Sequence, residues 1–227
     1  EGCPWQCLDD MLSEEWDHEL GGKLSIRLMA VDTGDQTSTV YQWCSRHPGS
    51  RVMAVKGQKE GYAQIVGPPT QTGSTKAGKK SRTALNLWPV GVAKIKEELY
   101  GWLKQERPTA ESGAEMPWGW CHFPEYPEEY FKQLTAEELI PVYHRGYRRH
   151  VWEVTRKNGR NEALDCRVYA RAAAYVLLVD KWSPENWEQI AKDAGIGTRS
   201  HSSAKQSTTG PLVKKPKKQR RDDDPWL

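Results

Sequence analysis

Two aspartates stand where an aspartate needs a reason. Asp32 closes a strand-like segment, residues 24–31, in which Leu24, Ile26 and Leu28 alternate before Met29-Ala30-Val31 runs apolar, and it is followed by Thr33-Gly34-Asp35. A carboxylate there must face solvent, find a partner or bind a metal, because burying it alone is too costly. The bland reading is an Asx-type turn that caps the next helix. Asp165 lies inside NEALDCRVYARAAAYV, which otherwise reads as a core-packing helix, with Glu162 one turn earlier on roughly the same face. Aspartate is a poor residue in mid-helix. Its bland readings are a salt bridge to Arg167 or Arg171, or simple exposure. The chemical reading is that this helix crosses a sheet edge and presents Asp165 toward Asp32. Two carboxylates without a Cys or His motif suit a hard cation, Mg²⁺ or Mn²⁺. Two such ions can activate water and stabilise the leaving oxygen of a phosphodiester.

Other residues could serve the same chemistry. Lys56 closes a second apolar strand and could contact phosphate or orient a carboxylate, or be a solvated lysine. His122, His144 and His150 could carry protons, but none has metal-ligand spacing, and a structural or exposed role is the simpler reading. Arg145, Arg148 and Arg149 bracket a hairpin with Tyr143, Tyr147 and Trp152, an interleaving of basic and aromatic residues that suits backbone phosphates. A solvated face with core aromatics explains them equally well. Lys79, Lys80 and Arg82 add a basic patch. Six of the eight residues at 214–221 are basic, and Asp222–Asp224 and a terminal Trp226-Leu227 follow, which suits a protein partner better than DNA alone. No GxxxxGK[ST] motif is present, so there is no Walker ATPase signature.

The elements that would position Asp32 and Lys56 form a βαβ unit. The strand ending at Asp32 leads through a helix over about residues 37–47, with Thr37 or Ser38 as its cap, to a strand over 51–56. Such a unit makes the strands parallel, with their C-terminal ends on one edge, where sites form in open α/β sheets. Upstream, residues 8–19 have helical spacing. Residues 57–85 read as a mobile basic loop. Expected next are a strand at 85–92 crossed by Pro89, a helix at 93–104, a short strand at 118–123, a helix at 127–134, hairpin strands at 138–144 and 147–153, a helix at 161–179 that packs closely on a sheet, and a final helix from Ser183 to about Ala194.

Composition bounds the rest. The chain has 227 residues, 37% of them hydrophobic, and a net charge of +3. Mean hydropathy is −0.80. These values suit one domain with polar ends, expected as 1–195 with a basic/acidic tail at 196–227. The weak net charge does not by itself mark a nucleic-acid binder. Five cysteines with no CxxC pair point to reduced thiols and exclude a zinc finger. No apolar run reaches membrane-spanning length, and the opening residue is Glu1 rather than Met, which reads as a fragment or processed product.

Several segments, in order, resemble the C-terminal nuclease domain of phage terminase large subunits of the lambda-like GpA branch. They are VDTGD at 31–35, VYQW at 40–43, RVMAVKG at 51–57, CHFP at 121–124, QLTAEE at 133–138 and RNEALDCRVYARAA at 160–173. The resemblance implies an RNase H-like α/β fold, a mixed sheet flanked by helices. It implies Mg²⁺- or Mn²⁺-dependent cutting of concatemeric viral double-stranded DNA during packaging. It places Asp32, Asp165 and Lys56 on acidic and lysine positions of the family's motifs, Asp32 and Asp165 as metal ligands for two ions. As partners it implies DNA, a terminase small subunit, a procapsid portal and an ATPase motor in the full-length chain, acting in the host cytoplasm at the procapsid and away from membranes. Family members normally carry an earlier strand ending Gly-hydrophobic-Asp. None precedes Leu24, so the expectation is a fold lacking its first strands and a chain of reduced activity. The alternatives are a non-catalytic DNA-binding or portal-docking module, with Asp32 and Asp165 far apart, and a different RNase H-like enzyme, against which QLTAEE argues.

Overall fold

The structure is a computed structural model that describes residues 3–58, 61–72, 84–109, 111–157 and 159–197. Helix α1, Pro4–Ser13, starts on a proline in its first turn, where a missing N–H costs nothing. It ends earlier than its spacing suggests, because residues from Glu15 turn into a short ribbon. In it β1, Glu15–Asp17, pairs antiparallel with β2, Lys23–Ser25. Gly21 and Gly22 both take positive φ in the connection.

The expected strand over 24–31 is therefore two strands. Its second part, β3 (Met29–Asp32), belongs to the main sheet. Helix α2, Thr37–Cys44, links it to β4, Val52–Gly57, and the strands run parallel with Asp32 opposite Val55. The βαβ unit read from sequence is thus present. Its cap is not Thr37 or Ser38: Gln36 holds a left-handed conformation at that position, and the Thr37 hydroxyl donates back to the Thr33 carbonyl at 2.8 Å.

The sheet continues through β5, Thr70–Gln71, and β6, Asn86–Val90, in the order β3-β4-β6-β5, with β5 antiparallel to β6. Part of the segment expected to be a loop is thus docked on the sheet, and Val66 also bridges to Val90. Pro89 is tolerated inside β6 because its carbonyl faces Gly67, accepting a hydrogen bond at 2.9 Å, so the missing N–H faces away from the β4 ladder.

Val52, Met53, Ala54 and Val55 are all buried, as a strand covered on both faces requires. Alternation divides them. Val52 and Ala54 join Leu12, Val40, Trp43 and Cys44 from α1 and α2. Met53 and Val55 join Ile95 and Leu99 of α3, Val92–Leu103, and Leu164, Val168 and Ala172 of α5, Glu162–Val176.

Between them lie α4, Glu128–Leu134, and the hairpin β7, Glu137–His144, and β8, Tyr147–Val154. Arg145 and Gly146 both have positive φ, 49° and 81°, as a two-residue hairpin turn demands. The expected strand at 118–123 is absent, and a turn at Trp118-Gly119 takes its place. Gly119 lies against Trp102, whose ring would be 2.4 Å from any Cβ there. Helix α5 ends three residues early, since Leu178 turns left-handed and leads into a single 3-10 turn, Val179–Lys181. The last helix, α6, Pro184–Asp193, begins with a capping box between Ser183 and Asn186.

This is a mixed parallel and antiparallel sheet flanked by helices, consistent with an RNase H-like nuclease fold. Among the described residues no helix is long and apolar enough to cross a membrane.

Candidate metal centre

Asp32 sits at the C-terminal end of β3 and is exposed. The next residue turns inward: Thr33 is buried and donates both its N–H, at 3.0 Å, and its hydroxyl, at 2.9 Å, to the Val55 carbonyl. These two hydrogen bonds fix the strand end and leave the Asp32 carboxylate free of helix capping, since no side chain caps α2. The Asx-turn reading therefore does not hold. Gly34 passes so close that a Cβ there would lie 3.0 Å from Asp32 Oδ2. Gly34→Ala is expected to push the carboxylate aside and lower divalent-metal affinity while leaving the melting temperature nearly unchanged. Metal titration alongside thermal unfolding checks both halves.

Asp165 is in the first turn of α5, not in mid-helix as its sequence surroundings suggest. An acid there is favoured by the helix dipole, which removes part of the oddity. The partners differ from those expected as well. Arg171 is occupied elsewhere, donating to Glu98 at 2.7 and 3.0 Å and to Asp180 at 2.7 and 3.0 Å, with its guanidinium 5.1 Å above the Trp102 ring. Arg167 lies over Phe123. Among the described residues Lys96 is the cation within 4 Å of Asp165, at 3.9 Å, and Asn161 Nδ2 donates to Asp165 at 3.3 Å.

Helix α5 packs on β3, which carries Asp165 to the Asp32 edge. Partial burial raises the Asp165 carboxyl above its ordinary range, Lys96 opposes this, and the charges of Glu137, Asp32 and Glu162 add to the rise. Tyr169, one turn after Asp165, faces the same place. Burial first, then the charges of Asp32 and Asp165, push its phenol upward. Its hydroxyl lies 3.1 Å from where a Cβ on Gly57 would stand.

The raised Asp165 carboxyl fixes a sign. The folded state binds this proton more tightly than the unfolded chain, so ionisation of Asp165 opposes folding. The penalty is complete above the raised folded value and vanishes below the unfolded value of about 3.9. Asp165→Asn is therefore expected to raise the melting temperature at neutral pH, with the gain shrinking as pH falls toward about 4. Thermal unfolding across that window measures it.

Beside Asp165 lies a buried ion pair that sequence reasoning missed. Lys96 of α3 donates to both oxygens of Glu137, at 2.7 and 2.6 Å, and both side chains are under a tenth exposed. Asn161 Nδ2 donates to Glu137 as well, at 2.8 Å. Gln133 Oε1 accepts from the N–H of Ala163, one of the unpaired donors at the start of α5, at 3.3 Å. The QLTAEE segment thus anchors the helix that carries Asp165. A signal was there to read: Lys96 shares the i, i+3, i+7 line of Leu99 and Leu103, and Tyr169 is at i+4 from Asp165.

The remaining candidates are placed less tightly. Lys56 is exposed on β4, one residue past the partner of Asp32, at the same sheet edge, and forms no ion pair among the described residues. Arg145, Arg148 and Arg149 are exposed at the hairpin tip beside Tyr143 and Tyr147, which are 76% and 75% exposed. Trp152, by contrast, stacks on Tyr100 with ring centroids 4.7 Å apart. His122 makes no ion pair among the described residues, and His144 and His150 lie exposed on the hairpin strands. Lys79, Lys80, Arg82 and the basic run at 214–221 lie outside the described residues.

Residues 1–187 match the endonuclease domain of the terminase large subunit gpA. The chain belongs to this family. It is similar to the terminase large subunit of Escherichia phage lambda, 30% identical over 180 residues, and to that of Enterobacteria phage P21, 31% identical over 180 residues. Each match covers 77% of this chain and 26% of the relative, so the chain spans about a quarter of the length of these terminase subunits. No solved structure matches.

The donor set of this terminase domain meets part of what the family's metal requires. Asp32 and Asp165 offer hard oxygen donors, which fit one divalent ion that keeps much of its water. Glu137 is consumed by Lys96 and Asn161, whereas Glu162 makes only an exposed pair with Arg160 at 2.9 Å. Among the described residues no group of three or more His, Cys, Asp or Glu is arranged to hold an ion. The pair therefore supplies two of the oxygen donors that an ion needs, and the rest of its shell would have to come from water, DNA or further ligands.

Proposed function

We propose that this terminase domain is a metal-dependent endonuclease that cuts concatemeric viral double-stranded DNA during genome packaging, with Asp32 and Asp165 as its metal ligands. What supports this is the packing of α5, with Asp165 in its first turn, on β3, which ends at Asp32, in a chain of the terminase endonuclease family. Bound Mg²⁺ or Mn²⁺ would supply an activated water and charge stabilisation at the scissile phosphate. Asp32 and Asp165 hold the ion, Asn161 orients Asp165, and Tyr169 walls the site on the helix side. Lys56, exposed at the same edge, is the proposed contact to a DNA phosphate.

The hairpin is the proposed duplex contact. Its tip stands roughly 23 Å along the strand from Glu137, at about 3.3 Å per residue. Arg148 shares one face with Tyr143 and Arg149 the other with Tyr147, so both faces present a cation beside an aromatic. Replacing Arg145, Arg148 and Arg149 by Ala is expected to weaken duplex binding without sequence preference. The slope of log K against log salt should fall by about one for each phosphate that the variant leaves without a cation. Binding titrations over a salt series measure this, and an unchanged slope counts against the hairpin. Lys79, Lys80 and Arg82 belong to the same proposed contact.

Within the packaging complex the domain is proposed to act with a small subunit, the portal and an ATPase motor, at the procapsid in the host cytoplasm. A second reading, a non-catalytic DNA-binding or docking module, is favoured by the lack of a three-acid group among the described residues. Mn²⁺-dependent plasmid cleavage by the wild type, Asp32→Asn and Asp165→Asn separates the two. Cleavage that both variants lose supports the nuclease, whereas cleavage that both retain removes the pair from the chemistry.

A further inference from the structure

Resting on the reading of Asp165 as a metal ligand, we propose that Glu137 is a positioning residue that holds Lys96 away from Asp165, so that a divalent ion need not compete with a lysine for that carboxylate. Lys96 Nζ lies 2.7 and 2.6 Å from the two Glu137 oxygens and 3.9 Å from Asp165 Oδ1. The ammonium therefore sits between two carboxylates and is bound by one. The distinction has a physical cause. Glu137 is 5% exposed and cannot leave its charge unpaired, whereas Asp165 is 46% exposed and can be solvated.

Asn161 divides its two contacts in the same sense, at 2.8 Å to Glu137 and 3.3 Å to Asp165, and links the pair to the ligand. The Glu137 backbone is also tied down, since Tyr100 donates to its carbonyl at 2.7 Å. The carboxylate that restrains Lys96 thus has a fixed root on β7 and a fixed partner on α3.

If Glu137 loses its charge, the freed ammonium has one other carboxylate within 4 Å among the described residues, which is Asp165. Glu137 would then act on metal binding chiefly through Lys96, with Asn161 keeping its own bond to Asp165. The consequence is specific: removing the acid should harm metal binding, and removing acid and base together should not.

Mn²⁺ binding to the whole chain, read from the free-ion electron paramagnetic resonance signal, tests this with circular dichroism as the folding control. Glu137→Gln is expected to weaken Mn²⁺ binding about tenfold or more, and Glu137→Asp by less. The pair Lys96→Met with Glu137→Leu should bind within about threefold of wild type, because no ammonium is freed and a matched apolar replacement of a buried ion pair is generally tolerated. A folded Glu137→Gln that binds as the wild type does, or a double variant as weak as the single, overturns the inference. Should Glu137→Gln not fold, Glu137→Asp against the double variant decides in the same way. Asp165→Asn is the separate control. Wild-type binding that survives it unchanged overturns the reading of Asp165 as a ligand instead.

Discussion

Asp32→Asn and Asp165→Asn are each expected to lower Mn²⁺-dependent cleavage by at least about 10²-fold. A metal ion contributes several kcal/mol of charge stabilisation at a phosphoryl centre, and each step of about 1.36 kcal/mol is tenfold in rate. An amide is nearly the size of a carboxylate, so the substitution removes charge and little else. The two variants should differ in stability. Asp165→Asn relieves a carboxylate whose ionisation burial opposes and should melt higher at neutral pH than the wild type. Asp32 is exposed, so its variant should melt close to the wild type. Loss of cleavage together with retained or raised stability cannot be ascribed to unfolding. The double variant should lose little beyond either single one, since residues acting on one ion are not additive.

Lys96→Met is expected to destabilise the fold by about 3–5 kcal/mol, the usual effect of removing one partner of a buried ion pair. Glu137 would then be left 5% exposed with Asn161 as its remaining side-chain donor. That loss is a large part of the roughly 5–15 kcal/mol that holds an ordinary domain together, so the variant should be partly unfolded near physiological temperature or lost to proteolysis. Adding Glu137→Leu should recover most of the stability, because the charge left behind is what destabilises. Denaturant unfolding of the single and double variants checks the direction. A single variant within about 1 kcal/mol of wild type would mean that the pair is more solvated than its burial indicates. Glu137→Gln should cost less than Lys96→Met, since its freed lysine has Asp165 within reach.

The parts of the site that the sequence made legible were those set by local pattern. An apolar run ending in Asp32, a Gly-bounded second strand and a helix between them define a parallel unit, and parallel strands put Asp32 and Lys56 on one edge. The Arg145-Gly146 hairpin and the Ser183 cap were equally local. What escaped were features that depend on contacts distant in sequence. Lys96 and Glu137 are 41 residues apart, and nothing near either one announces that the other neutralises it. The segment at 24–31 resembles one strand because period-two alternation does not show where pairing changes from Trp16 and Leu24 to Met29 and Val52. Asp165 looks out of place because the residues around it read as one continuous core-packing helix, which hides how near its start the aspartate lies. With Asn161 as the cap, Asp165 falls in the first turn. The 118–123 segment has the composition of a strand, but Gly119 has φ of 82° and packs under Trp102, a turn geometry that its aromatic residues hide.

The most direct test of the central claim is a crystal of the domain soaked in Mn²⁺, with the anomalous difference map recorded at the manganese edge. A peak between Asp32 and Asp165, bonded to an oxygen of each at about 2.1 Å and lost in Asp165→Asn, is the expected result. A Mn²⁺ peak that engages neither carboxylate, or one that persists in Asp165→Asn, would contradict a metal centre built on this pair.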